Sequence, residues 1–260
     1  MESLNKEEIP KSHPRYQSLI TRERIVSFFK KGIVVPQGLV AQGRGEAFDY
    51  ILGEKSHDFA IEAEKATIAY LLLSKRPIIS VNGNYVALAG EEIVKLSNMI
   101  NVPIEVNLFH RTEDRIEKIE KYLRSIGAEK VFGEGCEKTY LPNLNSLRGI
   151  VCKEGIFSAD FVLLAIEDGD RTQALKELGK KVAAIDLNPF SRTAQAADIS
   201  IIDDAIRATK NMLNFLMELK QKDVYDLKHI ISSYDNRNVL ASAFRKMLKN
   251  LESASGKYIY

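Results

Sequence analysis

A carboxylate, an amide, two hydroxyls and a guanidinium fall within the run Asp186-Leu187-Asn188-Pro189-Phe190-Ser191-Arg192-Thr193. Groups of these types, this close together, can hold both halves of a nucleotide. Asp186 or Asn188 would accept ribose hydroxyls, and Arg192 with Thr193 would take a phosphate. Arginine suits that task because its planar fork makes paired hydrogen bonds to phosphate oxygens. A solvated loop built on a proline turn, with Arg192 as one surface charge among many, accounts for the same residues equally well.

Two other strings carry comparable information. Asn82-Gly83-Asn84 follows a short apolar run and precedes a helical stretch over Tyr85 to Ile100. It reads either as a tight turn, which Asn and Gly favour, or as a place where a ligand approaches the backbone near the free N–H groups of a helix start. Gly43-Arg44-Gly45-Glu46 is the most distinctive string in the chain. Two glycines inside a would-be helix cost roughly 1 kcal/mol each relative to alanine. Such a cost points to close backbone approach or to Arg44 aimed into a pocket; a helix-breaking loop is the plainer reading. Lys138, Arg111 and Arg148 are further strand-end or loop cations that could hold an anionic substrate.

Several chemistries are excluded by motif. No GxGxxG follows a strand and no GxxxxGK[ST] is present, so neither the dinucleotide fingerprint nor a P-loop is met. His13, His57, His110 and His229 are scattered without ligand spacing, which argues against zinc. No nucleophile motif supports covalent catalysis. Cys136 and Cys152 form no CxxC pair and are expected to be buried or idle thiols. With 37 Lys plus Arg against 35 Asp plus Glu, the formal charge is +2, too balanced for a nucleic-acid coat. Met1 to Lys11 lacks an apolar leader, and apolar stretches such as Ala69 to Leu73 are far too short to cross a bilayer. The expected location is the cytoplasm, with neither nucleic acid nor membrane as partner.

The elements that must position these residues are legible in the apolar pattern. The chain has 260 residues, 45% apolar and 28% charged, enough for a packed core. Helices are expected over Tyr16 to Lys31, ended by Gly32, over Gln37 to Leu52, and over His57 to Ser74. From Pro77 the pattern changes to short Ile/Val/Leu runs: Pro77 to Asn82, Pro103 to Leu108, Glu129 to Phe132, Phe161 to Ile166, Val182 to Asp186 and Ile199 to Ile202. Helical stretches such as Arg115 to Ile126 separate most of them. Strands alternating with helices require crossovers, and crossovers give a parallel sheet covered on both faces. The expectation is one α/β domain over 1–260. Its core is a Rossmann-like doubly wound, mostly parallel sheet of about six strands (77–202), flanked by N-terminal (1–76) and C-terminal (203–260) helices. Asp203 to Leu219 and Asn236 to Leu251 supply the last helices. In such a sheet ligands bind at the carboxyl ends of the strands.

The strings join into a family pattern. Ile9-Pro10-Lys11-Ser12-His13-Pro14-Arg15-Tyr16, Arg22-Glu23-Arg24, Gly43 to Tyr50, Leu52-Gly53-Glu54, Asn82-Gly83-Asn84 and Asp186 to Thr193, in this order, resemble the archaeal phosphopantothenate synthetase family over nearly the whole chain. The resemblance implies an ATP- and Mg²⁺-dependent ligase that joins 4-phosphopantoate to β-alanine in coenzyme A biosynthesis. The route runs through a phosphopantoyl adenylate, with AMP and diphosphate released, in a Rossmann-like homodimer. It assigns ATP contacts to Arg22, Arg44, Asp186, Leu187, Asn188, Arg192, Thr193, Ile202 and Asp203. Arg44, Asn82 and Asn84 become the catalytic candidates, the asparagines by orienting pantoate. Asp203 at a helix start would repel phosphate and is better placed for ribose, adenine or a metal-bound water. The metal ligands and the base for β-alanine are unassigned. Alternatives are a Rossmann oxidoreductase or methyltransferase, a non-catalytic nucleotide sensor, and a ligase working through an acyl phosphate.

Overall fold

The computed structural model describes residues 9–144 and 146–257. The sequence expectation for Met1 to Lys11 falls mostly outside the described residues.

All six expected strands form: β1 (Pro77–Val81), β2 (Ile104–Val106), β3 (Val131–Phe132), β6 (Phe161–Ala165), β7 (Lys181–Ile185) and β8 (Ile199–Ile201). They make one parallel sheet in the order β3-β2-β1-β6-β7-β8. Construction runs outward from β1 in one direction and then from β6 in the other. The reversal opens a crevice between the carboxyl ends of β1 and β6, where doubly wound folds bind ligands. The remaining strands, β4 (Lys138–Tyr140) and β5 (Ile150–Cys152), form a separate antiparallel pair that sequence reading did not anticipate.

The period of two along each strand feeds two cores. Ile79, Val81, Leu163, Ala165, Ala183 and Ile185 pack on one face with helices α1 (Tyr16–Lys30), α3 (Asp58–Leu73), α4 (Gly83–Ile100), α5 (Glu113–Ser125) and α8 (Ala205–Leu219). Ile78, Val162, Leu164, Val182 and Ala184 face the opposite layer, which includes α6 (Gly169–Glu177). A third cluster joins α2 (Pro36–Leu52) to α10 (Asn236–Ser255) through Leu52, Ile202, Val239, Ala243 and Met247. The short helices α7 (Arg192–Ala196) and α9 (Val224–Ser233) complete the α-helices. Among the described residues, no helix is long and apolar enough to cross a membrane.

One alternative falls away and two local expectations change. Gly43-Arg44-Gly45 does not break its helix: α2 runs through it, from Pro36 in the first turn to Gly53 in the left-handed conformation at its end. Asp204, not Asp203, opens α8, accepting from the amides of Ile206 and Arg207 at 2.9 and 3.2 Å. Cys136 and Cys152 are not free thiols but a disulfide, with Cα atoms 5.6 Å apart. The β4–β5 register sets Lys138 opposite Cys152 and thereby brings Cys136 into bonding range.

Candidate functional site

A cavity of about 520 Å³ occupies the crevice at the sheet's reversal. Its floor comes from the strand ends, with Asn82 and Asn84 after β1, Glu167 and Asp168 after β6, and Asp186 and Asn188 after β7. Helix α2 forms a wall with Gly38, Arg44 and Phe48. That volume and position suit a small-molecule site.

Asn82 and Asn84 hold the floor together. Asn82 caps α4 by accepting from the amide of Tyr85 at 3.0 Å. Its Nδ2 also donates to the carbonyls of Ala165 and Ile166, at 2.8 and 3.1 Å, across the crevice. Buried Asn84 donates from Nδ2 to the carbonyl of Gly38 at 2.8 Å and so docks α2 against α4. Thr193 plays a similar part outside the cavity wall, its hydroxyl donating to the carbonyl of Glu167 at 2.8 Å.

The charges at the cavity are unevenly answered. Asp203 is almost wholly buried and lies under an ion network. It accepts from Arg207 Nε and Nη2 at 2.9 and 2.7 Å and from Ser56, while Arg207 also grips both oxygens of Asp49. Its oxygens are therefore already committed. Burial pushes the carboxyl of Asp186 up, partly offset by Ser191, by the amide of Asn188 and by the charge of Arg44. Glu167 is raised by burial too, with Arg171 opposing. Asp168 keeps one buried carboxylate oxygen without a hydrogen-bond partner among the described residues, with Arg148 Nη1 3.9 Å away. Arg44 and Arg115 line the cavity, and neither forms an ion pair among the described residues.

The expected ATP residues divide accordingly. Arg44, Asp186, Leu187, Asn188 and Asp203 are brought together at the cavity. Arg22, Arg192, Thr193 and Ile202 are not among its lining. Arg22 binds Glu46 through Nε and Nη2 at 3.0 and 2.8 Å. Arg192, with its side chain 75% exposed, pairs with Asp170 at 2.7 Å beside a different depression. Ile202 is buried in the core shared with α10. Of the other candidate cations, Arg111 and Lys138 both pair with Glu134, and Arg148 stacks over Phe109 near Asp168 and Asp170. Sequence reading missed Glu167, Asp168 and Arg115. The first two follow a strand and were open to the strand-end rule. Arg115 sits in the first turn of α5 with no motif to mark it.

The family model for phosphopantothenate/pantothenate synthetase matches residues 59–250 of this chain. The chain belongs to the phosphopantothenate/pantothenate synthetase family. A 4-phosphopantoate–beta-alanine ligase of Methanosarcina mazei is 44% identical over 253 residues, covering 97% of this chain and 99% of that protein. Ligases of the same name from Methanospirillum hungatei JF-1 and Thermococcus onnurineus are 50% and 46% identical, covering 84% and 89% of this chain and 89% of each relative. The match to the synthetase family includes β1 through β8, and hence every strand that builds the cavity floor.

Proposed function

We propose that this chain is an ATP-dependent ligase that condenses 4-phosphopantoate with β-alanine to 4′-phosphopantothenate, a step of coenzyme A biosynthesis. The observation that carries the reading is the near full-length likeness to ligases of that name, joined to a cavity at the sheet's reversal point.

The chemistry accounts for the residues. A carboxylate is a poor electrophile. Attack of the pantoate carboxylate on the α-phosphate of ATP forms a phosphopantoyl adenylate and releases diphosphate. The β-alanine amine, having lost a proton, then attacks the acyl carbon, forms the amide and expels AMP. Both substrates of the first step are anions, so positioning and charge neutralisation do most of the work. Arg44 faces the triphosphate. Asp186 and Asn188 recognise the ribose, while Leu187 and Phe48 give the base an apolar wall. Asn82 and Asn84 act by fixing the floor and α2. The buried Oδ2 of Asp168, which makes no hydrogen bond among the described residues and stands 3.9 Å from Arg148 Nη1, fits a magnesium-bound water, since Mg²⁺ keeps several waters and takes few protein carboxylates. Magnesium supplies charge neutralisation of the phosphates when bound. The reading includes a homodimer and a cytoplasmic location.

Incubation of the purified protein with ATP, Mg²⁺, 4-phosphopantoate and β-alanine tests it. Phosphopantothenate with AMP and diphosphate is expected. ADP in place of AMP would replace the adenylate by an acyl phosphate, and nucleotide binding with no product at all would leave only a sensor.

A further inference from the structure

We propose that Arg115 is the clamp for the phosphate of 4-phosphopantoate, and that the cavity is divided into a nucleotide half at β7–β8 and a substrate-phosphate half at β1–β2. This rests on the ligase reading. It assigns a role to a residue that neither the motifs nor the strand-end rule marked.

The first ground is an unanswered charge. Arg115 lies in the first turn of α5 and lines the cavity. Its Nη2 donates to the carbonyl of Ile33 at 3.0 Å, and its Nη1 donates to the carbonyl of His110. These neutral acceptors orient the guanidinium without neutralising it. Its Nε is buried and has no hydrogen-bond partner among the described residues. Burial holds its pKa below the usual arginine value, and it forms no ion pair among the described residues. A half-buried cation of this kind lacks a counter-ion, and a bound anion supplies one.

The second ground is what stands beside it. The guanidinium lies against Gly83, in the first turn of the 18-residue helix α4. A Cβ at Gly83 would sit 3.2 Å from Arg115 Nη2 and would collide with the carbonyl of Ile33. The missing side chain therefore lets the cation, the loop and the positive end of the α4 dipole converge on one spot. The rival cations are spent: Arg111 and Lys138 on Glu134, Arg148 on Phe109 and two aspartates.

The third ground is separation. Arg115 follows β2, whereas Asp186 and Asn188 follow β7, three strand steps away in the sheet order. At ~4.8 Å per step the ends of β2 and β7 are about 14 Å apart. Between them lie the ends of β1 and β6. 4-Phosphopantoate carries phosphate and carboxylate at opposite ends of a short chain. Anchoring its phosphate at Arg115 points the carboxylate toward the middle of the crevice, where the α-phosphate of ATP must arrive.

Calorimetric binding of 4-phosphopantoate and of pantoate to the wild type and to Arg115→Gln decides it. The wild type is expected to favour the phosphorylated acid, and Arg115→Gln to lose roughly 10- to 100-fold of that preference, the usual worth of a charge-assisted contact. ATP binding should stay within about twofold, because the phosphate contact is local. An unchanged preference in folded Arg115→Gln, or an equal loss for ATP, overturns the proposal. Should Arg115→Gln fail to fold, Arg115→Lys replaces it: partial loss is expected, and full wild-type preference overturns the assignment. A wild type that binds 4-phosphopantoate yet forms no product with ATP and β-alanine would sink the ligase reading, while the same titrations still judge Arg115.

Discussion

The side-chain amide of Asn84 holds the carbonyl of Gly38 at 2.8 Å, and Gly38 is the one residue at that point of α2 that leaves room for it. A Cβ there would collide with Asn84 Oδ1 and come within 2.9 Å of Val34. The wall of the cavity is thus seated on its floor by a contact that tolerates no side chain.

Gly38→Ala should consequently destabilise the fold by about 1–3 kcal/mol, the usual cost of overpacking, and raise the KM for ATP. Gly43→Ala, in the same helix but with open space around its notional Cβ, should stabilise by up to ~1 kcal/mol through helix propensity. Urea denaturation of the pair gives the comparison; equal effects would contradict the seating of α2.

Arg44 is exposed at the cavity and pairs with no carboxylate among the described residues, so it contributes little to folding. Arg44→Ala is expected to leave the melting temperature within the small range of surface substitutions and to cut kcat/KM for ATP by roughly 100-fold. Steady-state kinetics at saturating 4-phosphopantoate check this, and wild-type turnover would remove Arg44 from the site.

Much of this architecture can be read from the chain before any coordinates. β6, Phe161–Ala165, is apolar at every position because both faces are covered, and a run of that kind announces a central parallel strand. The β4–β5 pair gives no such signal: Lys138 and Tyr140 are exposed and Thr139 is only half-buried, so nothing in the pattern demands a strand. The disulfide was hidden for the same reason, since only the hairpin register brings Cys136 to Cys152. At the site, Asp186 and Asn188 followed from the strand-end rule. Arg22 and Arg192 did not reach the cavity because each has a nearer carboxylate, Glu46 and Asp170. Arg115 was invisible because its meaning depends on what it lacks, an ion-pair partner among the described residues, and sequence spacing does not reveal that.

Reduction of Cys136–Cys152 should lower stability by about 3 kcal/mol on the chain-entropy account, given a sequence separation of 16. Urea midpoints with and without a thiol reductant measure it. The double variant Cys136→Ser/Cys152→Ser should match the reduced protein and show no further response to reductant.

Glu64 is buried, and its carboxyl is pushed up to about 9, first by burial and then by the charge of Asp203. The unfolded chain releases that proton near the ordinary value of 4.5 while the folded chain keeps it. Stability therefore declines as pH rises from about 5 to 9 and levels off beyond, because the native state binds the extra proton throughout that window. Glu64→Gln preserves a neutral side chain and should flatten the decline. Denaturation midpoints across the window test this, with parallel slopes in both proteins counting against it.

One amide, that of Asn82, fastens a helix to its strand and at the same time laces two neighbouring strands across the gap where the polypeptide changes direction. Removing it would loosen the masonry under every ligand at once. Impaired kinetics in an Asn82 variant would therefore report on scaffolding, and enzymologists would need a structure of that variant before crediting the residue with any direct touch on a reactant.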